Sequence, residues 1–124
     1  MFDHVKFGVS NYAASKAFYL KALAPLGVTA GGEGDPSYGI EMCGRNNASL
    51  CLFQAQDKPV PMHIAFVAAT RQEVDAFYEA ALAAGGKDHG APGLRPKYHA
   101  NYYAAFVIDP DGHNIEAVCH TPLP

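Results

Sequence analysis

The chain has 124 residues and a mass of 13.2 kDa, enough for one domain with a hydrophobic core and too few for two. Apolar residues make up 49% and charged residues 17%, a balance that excludes intrinsic disorder, fibrous repeats and coiled coils. The net charge of −3, without any run of basic residues, argues against nucleic acid as a partner.

The three cysteines, Cys43, Cys51 and Cys119, are an odd number with no C-x-x-C spacing, so they do not indicate a disulfide framework. The first residues lack the charged and then apolar pattern of a secretory signal. No stretch approaches the ~20 apolar residues that span a bilayer. We therefore expect a cytoplasmic protein with no membrane partner.

An internal repeat organises the chain. Shifted by 59 residues, positions 4–27 match positions 63–86 with nine identities in 24. The repeat resumes with a shift of 65, which places Cys51 on Glu116. We therefore predict a single domain of two modules, about 1–58 and 59–124. The second module's six extra residues fall near the Gly- and Pro-rich segment 90–96, for which we predict a surface loop.

The predicted elements follow the repeat in chain order. Apolar residues alternate with other residues over 4–9, which predicts a first strand with one apolar face. A helix is expected from Ser10 or Asn11 to Gly27. Short strands should follow it and complete the first module.

The second module is expected to repeat this order with clearer helix boundaries. Thr70, with Glu73 three residues later, forms a capping box, and Gly85-Gly86 suits the left-handed end of a helix. Asp111-Gly112 predicts a turn between the last two strands. Apolar residues at helical spacing in both helices predict that each packs on a sheet.

Polar residues on the opposite face of each sheet indicate a site. A twisted sheet covered by helices on one face curls its other face into a trough. His4 and His63 occupy the same position in the two first strands, and Glu116 lies in the last strand. Two imidazoles and one carboxylate are a known ligand set that leaves open positions on a divalent metal. Cys51 would complete a four-ligand set for Zn²⁺, although a small buried residue beside the site is the simpler interpretation.

This pattern resembles the vicinal oxygen chelate superfamily, which includes glyoxalase I, bleomycin-resistance proteins and extradiol dioxygenases. The resemblance covers nearly the whole chain. Its most specific carrier is the run from Phe106 to Glu116, in which Asp-Pro-Asp-Gly precedes Ile-Glu. The other carriers are His4, Ala17-Phe18-Tyr19, His63-Ile-Ala-Phe and Ala76-Phe77-Tyr78.

The resemblance implies an α+β fold of two βαβββ modules in tandem, which form a curled mixed sheet around a cleft with the helices outside. It also implies a homodimer and a divalent metal (Zn, Ni, Fe or Mn) bound by residues matching His4, His63 and Glu116. Glyoxalase I has a carboxylate or glutamine as a fourth ligand at the position of Cys51. The ligand set of this chain, His4, His63 and Glu116, is therefore closer to the three-ligand pattern of the superfamily than to that of glyoxalase I.

In such a site a substrate with two adjacent oxygens chelates the metal, which stabilises negative charge that forms on those oxygens. A side chain must move a proton, and the residues with a catalytic role are expected among Glu116, Tyr102, Tyr103 and His99. Arg95 suits an anionic substrate group, because its guanidinium donates paired hydrogen bonds. Tyr98 and Phe53 are further candidates for contact with the substrate.

Three functions remain open from the sequence. The first is a metal-dependent lyase or isomerase of glyoxalase type that acts on a small oxygenated metabolite. The second is an Fe(II) extradiol-type dioxygenase, which the short chain disfavours. The third is a metal-free protein that binds small molecules, as bleomycin-resistance proteins do, but such a protein would not need His4, His63 and Glu116 together.

Overall fold

The computed structural model describes residues 1–123, which fold as the two predicted modules. The elements are, in chain order, β1 (His4–Val9), α1 (Tyr12–Leu23), a 3₁₀-helix (Ala24–Leu26), β2 (Thr29–Glu33), β3 (Ile40–Cys43), β4 (Ser49–Gln54), β5 (His63–Val67), α2 (Arg71–Ala83), β6 (Lys87–Leu94), β7 (Tyr103–Ile108) and β8 (Asn114–Cys119). Each module contributes one four-stranded mixed sheet and one α-helix, so the α+β prediction is confirmed.

The two sheets have the same strand order. Module 1 is arranged β1-β4-β3-β2 and module 2 is arranged β5-β8-β7-β6. In each module the first strand pairs parallel with the last strand, while the remaining neighbours are antiparallel. The first strand is therefore an edge of its sheet, and its side chains lie beside those of the last strand.

Both helices begin and end close to the predicted residues. The side chain of Asn11 accepts a hydrogen bond from the Ala14 amide at 3.1 Å, and Gly27 ends the 3₁₀-helix in the left-handed region with φ 81°. Thr70 caps α2 by accepting from the Glu73 amide at 3.1 Å. Within residues 1–123, neither helix is long and apolar enough to cross a membrane.

The prediction of a surface loop over residues 90–96 was wrong for most of that segment. Strand β6 runs from Lys87 to Leu94 and pairs with β7, with register shifts on either side of Gly90. An edge strand with bulges accommodates glycine, and Pro92 is tolerated because an edge strand leaves part of its N–H groups unpaired. The extra residues therefore go mainly into strands: β6 has eight residues where β2 has five, and β7 has six where β3 has four.

One apolar core joins the two modules. It contains buried residues from both helices and both sheets, among them Phe18, Tyr19, Met42, Phe77 and Ile115. Burial of about 25 cal/mol per Å² of apolar surface makes this shared core the main stabilising contribution of the fold.

Polar contacts join the helix region of each module to a turn of the other module. The Asp111 carboxylate, in the turn between β7 and β8, accepts hydrogen bonds from the amide (3.0 Å) and hydroxyl of Ser10. The hydroxyl of Tyr19 in α1 donates to the buried carboxylate of Asp109. On the opposite side, Arg45 forms a two-pronged ion pair with Glu73 at 3.0 and 2.8 Å.

Candidate functional site

Glu116 lies at the centre of the face of module 2 that α2 does not cover, which we call the open face of module 2. In the register of the sheet it pairs with Ala65 of β5 on one side and with Phe106 of β7 on the other. Its side chain is 3% exposed, although it lies on this face, because neighbouring side chains cover it. A carboxylate in such a position requires compensating donors.

Two side chains supply those donors. Nε2 of His63 lies 2.8 Å from Oε1 of Glu116, and the hydroxyl of Tyr102 donates a hydrogen bond to Oε2. Burial and the adjacent carboxylate raise the pKa of Tyr102 to about 12. Tyr102 therefore keeps its proton at neutral pH and acts as a donor rather than as a base.

Asn114 orients the His63 ring from the side away from Glu116. The side-chain amide of Asn114 lies 2.9 Å from Nδ1 of His63, and its Oδ1 is buried without a hydrogen-bond partner in the described structure. Rotating the amide by 180° would place Oδ1 against an Nδ1–H group. His63 would then carry its proton on Nδ1 and present the Nε2 lone pair that a metal ligand requires, in place of the hydrogen bond that Nε2 donates to Glu116. The residues around His63 thus fit a metal-binding imidazole.

His4 lies apart from this pair. It begins β1 and is more than half exposed, and its Nδ1 contacts the carboxylate of Asp3 at 2.6 Å. Within residues 1–123, no group of three or more His, Cys, Asp or Glu side chains is placed so that it could hold a metal ion. One copy of the chain therefore brings His63 and Glu116 together but does not add His4.

An aromatic cluster surrounds Tyr102. The rings of Tyr98, His99 and His120 lie 4.8, 5.4 and 5.3 Å from its ring, measured between centroids. Nδ1 of His99 accepts from the amide of Asn101, so a neutral His99 carries its proton on Nε2 and donates it to Nδ1 of His120 at 2.6 Å. Both ring nitrogens of His99 are thus engaged, which weakens His99 as a proton acceptor for a substrate.

The two adjacent tyrosines point to opposite sides of the sheet. Tyr103 donates to Asp75 of α2 at 2.6 Å and packs beneath the guanidinium of Arg71, so it lies on the helix-covered side. The alternation of strand β7 could have distinguished the two residues, because Tyr102 has the same parity as Phe106 and Tyr103 does not. The prediction of Tyr103 as a catalytic candidate is therefore not supported by its position, and His120 is a neighbour of Tyr102 that was not predicted.

Arg95 lies over the open face of module 2 but is held by its own strand. Its Nη2 donates to the carbonyl of Ala91 at 2.7 Å, and the guanidinium lies 5.4 Å from the centroid of the Phe106 ring. Phe106 in turn neighbours Glu116, so Arg95 is positioned at the margin of the same surface. The predicted anion-binding role of Arg95 stays a prediction.

The equivalent face of module 1 carries different side chains. Cys51 occupies the position of Glu116 and pairs with Lys6 of β1 and Glu41 of β3. Phe53 lies two residues further along β4, and its ring is 5.5 Å from Nζ of Lys6. Cys51 is half-buried among these residues and lies away from the His63–Glu116 pair.

An open groove of about 650 Å³ separates the two modules where their edge strands face each other. His4 and Val5 of β1 line one side, and residues 63–67 of β5 line the other. Because β1 and β5 each pair with only one neighbour in the described sheets, both edges leave backbone groups available for another strand.

The sequence agrees with a known family along nearly its full length. Residues 1–117 match the family described as the Glyoxalase/Bleomycin resistance protein/Dioxygenase superfamily. The chain belongs to this superfamily. The resemblance inferred from the run that ends in Glu116 is thereby confirmed, whereas no curated protein sequence matches the chain.

Solved structures agree with this membership of the glyoxalase superfamily. A glyoxalase/bleomycin resistance protein from Albidiferax ferrireducens T118 is 28% identical, with a TM-score of 0.79 over 98% of this chain and 99% of that one. A glyoxalase-related enzyme from Fulvimarina pelagi (21% identity, TM-score 0.72, 94% and 85% covered) shares the fold. So does a glyoxalase/bleomycin resistance protein/dioxygenase from Nocardioides (18%, 0.66, 96% and 82%).

Proposed function

We propose that this protein is a metal-dependent enzyme of glyoxalase type, a lyase or isomerase that acts on a small oxygenated metabolite. The observation that carries this proposal is the buried carboxylate of Glu116, which lies between an imidazole and a tyrosine hydroxyl on an open face. Burying a carboxylate without a cation costs free energy. The neighbouring His63 is the side chain best suited to bind a metal cation together with Glu116.

His63 through Nε2 and Glu116 through Oε1 would hold the metal, and His4 of a second copy would supply the third ligand. The ion supplies Lewis-acid stabilisation of negative charge on two adjacent substrate oxygens. This donor set, two imidazoles and one carboxylate, accepts Zn, Ni, Fe or Mn. Asn114 fixes the His63 ring, as outer partners of metal-binding histidines commonly do.

Tyr102 handles the proton in this proposal. Its hydroxyl donates to Oε2 of Glu116 and remains protonated at neutral pH, because burial and the carboxylate raise its pKa to about 12. It can therefore donate a hydrogen bond to a substrate oxygen on which negative charge develops. Tyr98, His99 and His120 hold the ring in place for that purpose.

The proposal includes a homodimer that places β1 of one copy beside β5 of the other. Both strands are free edges and both line the apolar groove between the modules, so their pairing would bury that groove. A dimer of this kind would bring the partner's β1, and with it a second His4, to the open face of module 2.

A mixed dimer tests whether the site is shared between chains. We expect His4→Ala and Glu116→Ala each to abolish stoichiometric zinc binding as homodimers. A heterodimer of the two variants, isolated with two different affinity tags, retains one intact site if His4 comes from the partner. It should therefore bind one zinc ion, measured by metal analysis after dialysis.

The outcomes of this experiment are distinct. A heterodimer that binds no zinc, while the wild-type dimer binds it, would contradict a shared site. Wild-type metal content in both homodimeric variants would contradict the ligand set itself. Metal analysis of the protein purified without added metal completes the test, because iron would favour the dioxygenase alternative and zinc or nickel the lyase or isomerase.

A further inference from the structure

Lys6 is an ammonium group held between two aromatic rings on the open face of module 1. Its Nζ lies 5.3 Å from the centroid of the Tyr38 ring and 5.5 Å from that of Phe53. Lys6 takes part in none of the ion pairs found within residues 1–123. The two ring faces attract the cation but leave its charge without an anionic partner.

Glycines give both rings the room to lie at this place. A Cβ atom at Gly34 would be 2.7 Å from the Tyr38 ring, and one at Gly8 would be 3.3 Å from the Phe53 ring. A larger residue at Gly34 would displace the Tyr38 ring, whereas at Gly8 it would first meet the Cβ atom of Ala55 at 2.7 Å. The two glycines therefore leave room for the rings on either side of the Lys6 side chain.

A cavity of about 130 Å³ opens beside the ammonium. It is lined by Lys6, Tyr38, Glu41 and Cys51 together with Gly32, Gly39 and Ile40. The carboxylate of Glu41 accepts a hydrogen bond from the hydroxyl of Ser49 at 3.0 Å. Among the residues that line this cavity, Lys6 carries the one positive charge and is therefore the group that can bind an anion.

We propose that Lys6 binds a carboxylate group on the substrate, and that the planar body carrying this carboxylate lies against the rings of Tyr38 and Phe53. Lys6 follows His4 by two residues on the same face of β1, a separation of roughly 7 Å along a strand. That this ligand is the substrate rests on the proposed function. The substrate is then an oxygenated acid whose carboxylate lies several ångströms from the chelating oxygens.

Benzoate and its neutral analogue benzamide test this assignment without knowledge of the substrate. Binding to the full-length protein is measured by NMR titration, with the side chains of Tyr38 and Phe53 as reporters. Benzoate should bind about tenfold or more tightly than benzamide, the ratio expected for a charge-assisted hydrogen bond. Lys6→Met should remove this preference, and Lys6→Arg should keep most of it because the positive charge remains.

Two variants serve as controls of position. Lys21→Met removes the same charge from an exposed site on α1 and should leave benzoate binding unchanged. Arg95→Ala removes the other cation that sequence analysis favours for an anion. If Arg95→Ala abolishes benzoate binding while Lys6→Met does not, or if benzoate and benzamide bind equally to the wild type, the proposal for Lys6 is overturned.

The result is separable from that of the metal proposal. Glu116→Gln should lose zinc and still bind benzoate at Lys6, since the two groups lie in different modules. Loss of benzoate binding in Lys6→Met with zinc content retained would support both assignments. Retained benzoate binding in Lys6→Met would overturn the Lys6 site alone.

Discussion

The two modules have the same strand order and the same pairing of first and last strands, but equivalent positions carry opposite chemistry. Module 2 places Glu116 beside the small side chain of Ala65, whereas module 1 places Cys51 beside the ammonium of Lys6. A single strand path thus carries a carboxylate at this position in one module, and a thiol beside an ammonium in the other. The shared backbone therefore does not by itself set the chemistry of the two open faces.

The contacts between the modules differ in the same way. Tyr19 and Tyr78 are equivalent residues of α1 and α2. The hydroxyl of Tyr19 reaches across to the buried Asp109 of the other module, and burial raises its pKa above the usual value. The hydroxyl of Tyr78 donates to Asp88 of its own module at 2.9 Å in a more exposed setting. One of the two tyrosines therefore joins the modules and the other does not.

The largest expected difference concerns the equivalent pair Glu116 and Cys51. Glu116→Gln removes an anionic ligand and should weaken zinc binding by more than ~100-fold, the upper range seen when only an outer partner of a metal ligand is lost. Cys51→Ser is the matched control in module 1 and should change the zinc dissociation constant by less than about twofold if Cys51 only lies beside the site. Competition with a zinc-binding dye measures both constants. An equal loss in both variants would make Cys51 a fourth ligand.

The next largest effect concerns stability. Tyr19→Phe leaves the buried Asp109 carboxylate without one of its donors and should lower the free energy of unfolding by about 1.5–3 kcal/mol, as for hydrogen bonds to charged groups. Tyr78→Phe, the equivalent change in module 2, should cost less than about 1 kcal/mol because water replaces its hydrogen bond. Urea denaturation monitored by circular dichroism gives both values. An equal loss of unfolding free energy in the two variants would show that the Tyr19–Asp109 hydrogen bond does not stabilise the contact between the modules.

The smallest effect appears only at alkaline pH. The pKa of Tyr102 is 10.0 without its surroundings and about 12 in the folded protein. Because the folded pKa is the higher one, the contribution of Tyr102 to stability is fully present below pH 10 and is lost as the pH rises towards 12. Tyr102→Phe should therefore flatten the decline in stability over this interval.

Tyr12 provides an internal reference for that measurement. Its pKa is also raised to about 12, chiefly by burial, and its hydroxyl donates to Glu33 of module 1 at 2.6 Å. Tyr102→Phe should therefore keep the part of the loss of stability at alkaline pH that comes from Tyr12. An unchanged decline after Tyr102→Phe would mean that the hydroxyl does not interact with the Glu116 carboxylate.

Much of the fold could be predicted because the repeat gives two copies of the same pattern, so an element assigned in one module is expected at the equivalent residues of the other. The offset of 59 residues aligns His4 with His63 and thereby predicts two equivalent first strands, which the structure confirms. Strand β6 was missed because its Gly and Pro residues favour turns locally, and pairing with β7 overrides that preference. Such pairing depends on contact between two segments of the chain, and the local sequence of either segment does not indicate it.

The candidate site could be predicted only in part, for a different reason. Alternation along β8 places Glu116 on one face, but it says nothing of which side chains reach it from outside a strand. Tyr102 precedes β7, so its parity with Phe106 indicates its side of the sheet, but the contact of its hydroxyl with Glu116 is seen only in the structure. In the proposed dimer His4 reaches the pair from a second copy of the chain, whose placement no single sequence pattern contains.

The parallel pairing of first and last strands also has a consequence for how the protein folds. His63 and Glu116 are 53 residues apart in sequence. Strand β5 pairs with β8, although α2, β6 and β7 lie between them in the chain. Such a contact closes a long loop, which costs entropy before any pairing energy is returned and slows folding. During synthesis Glu116 emerges with β8, after every other strand of the two modules. The first module can therefore complete its sheet before the histidine–glutamate pair of the second module forms.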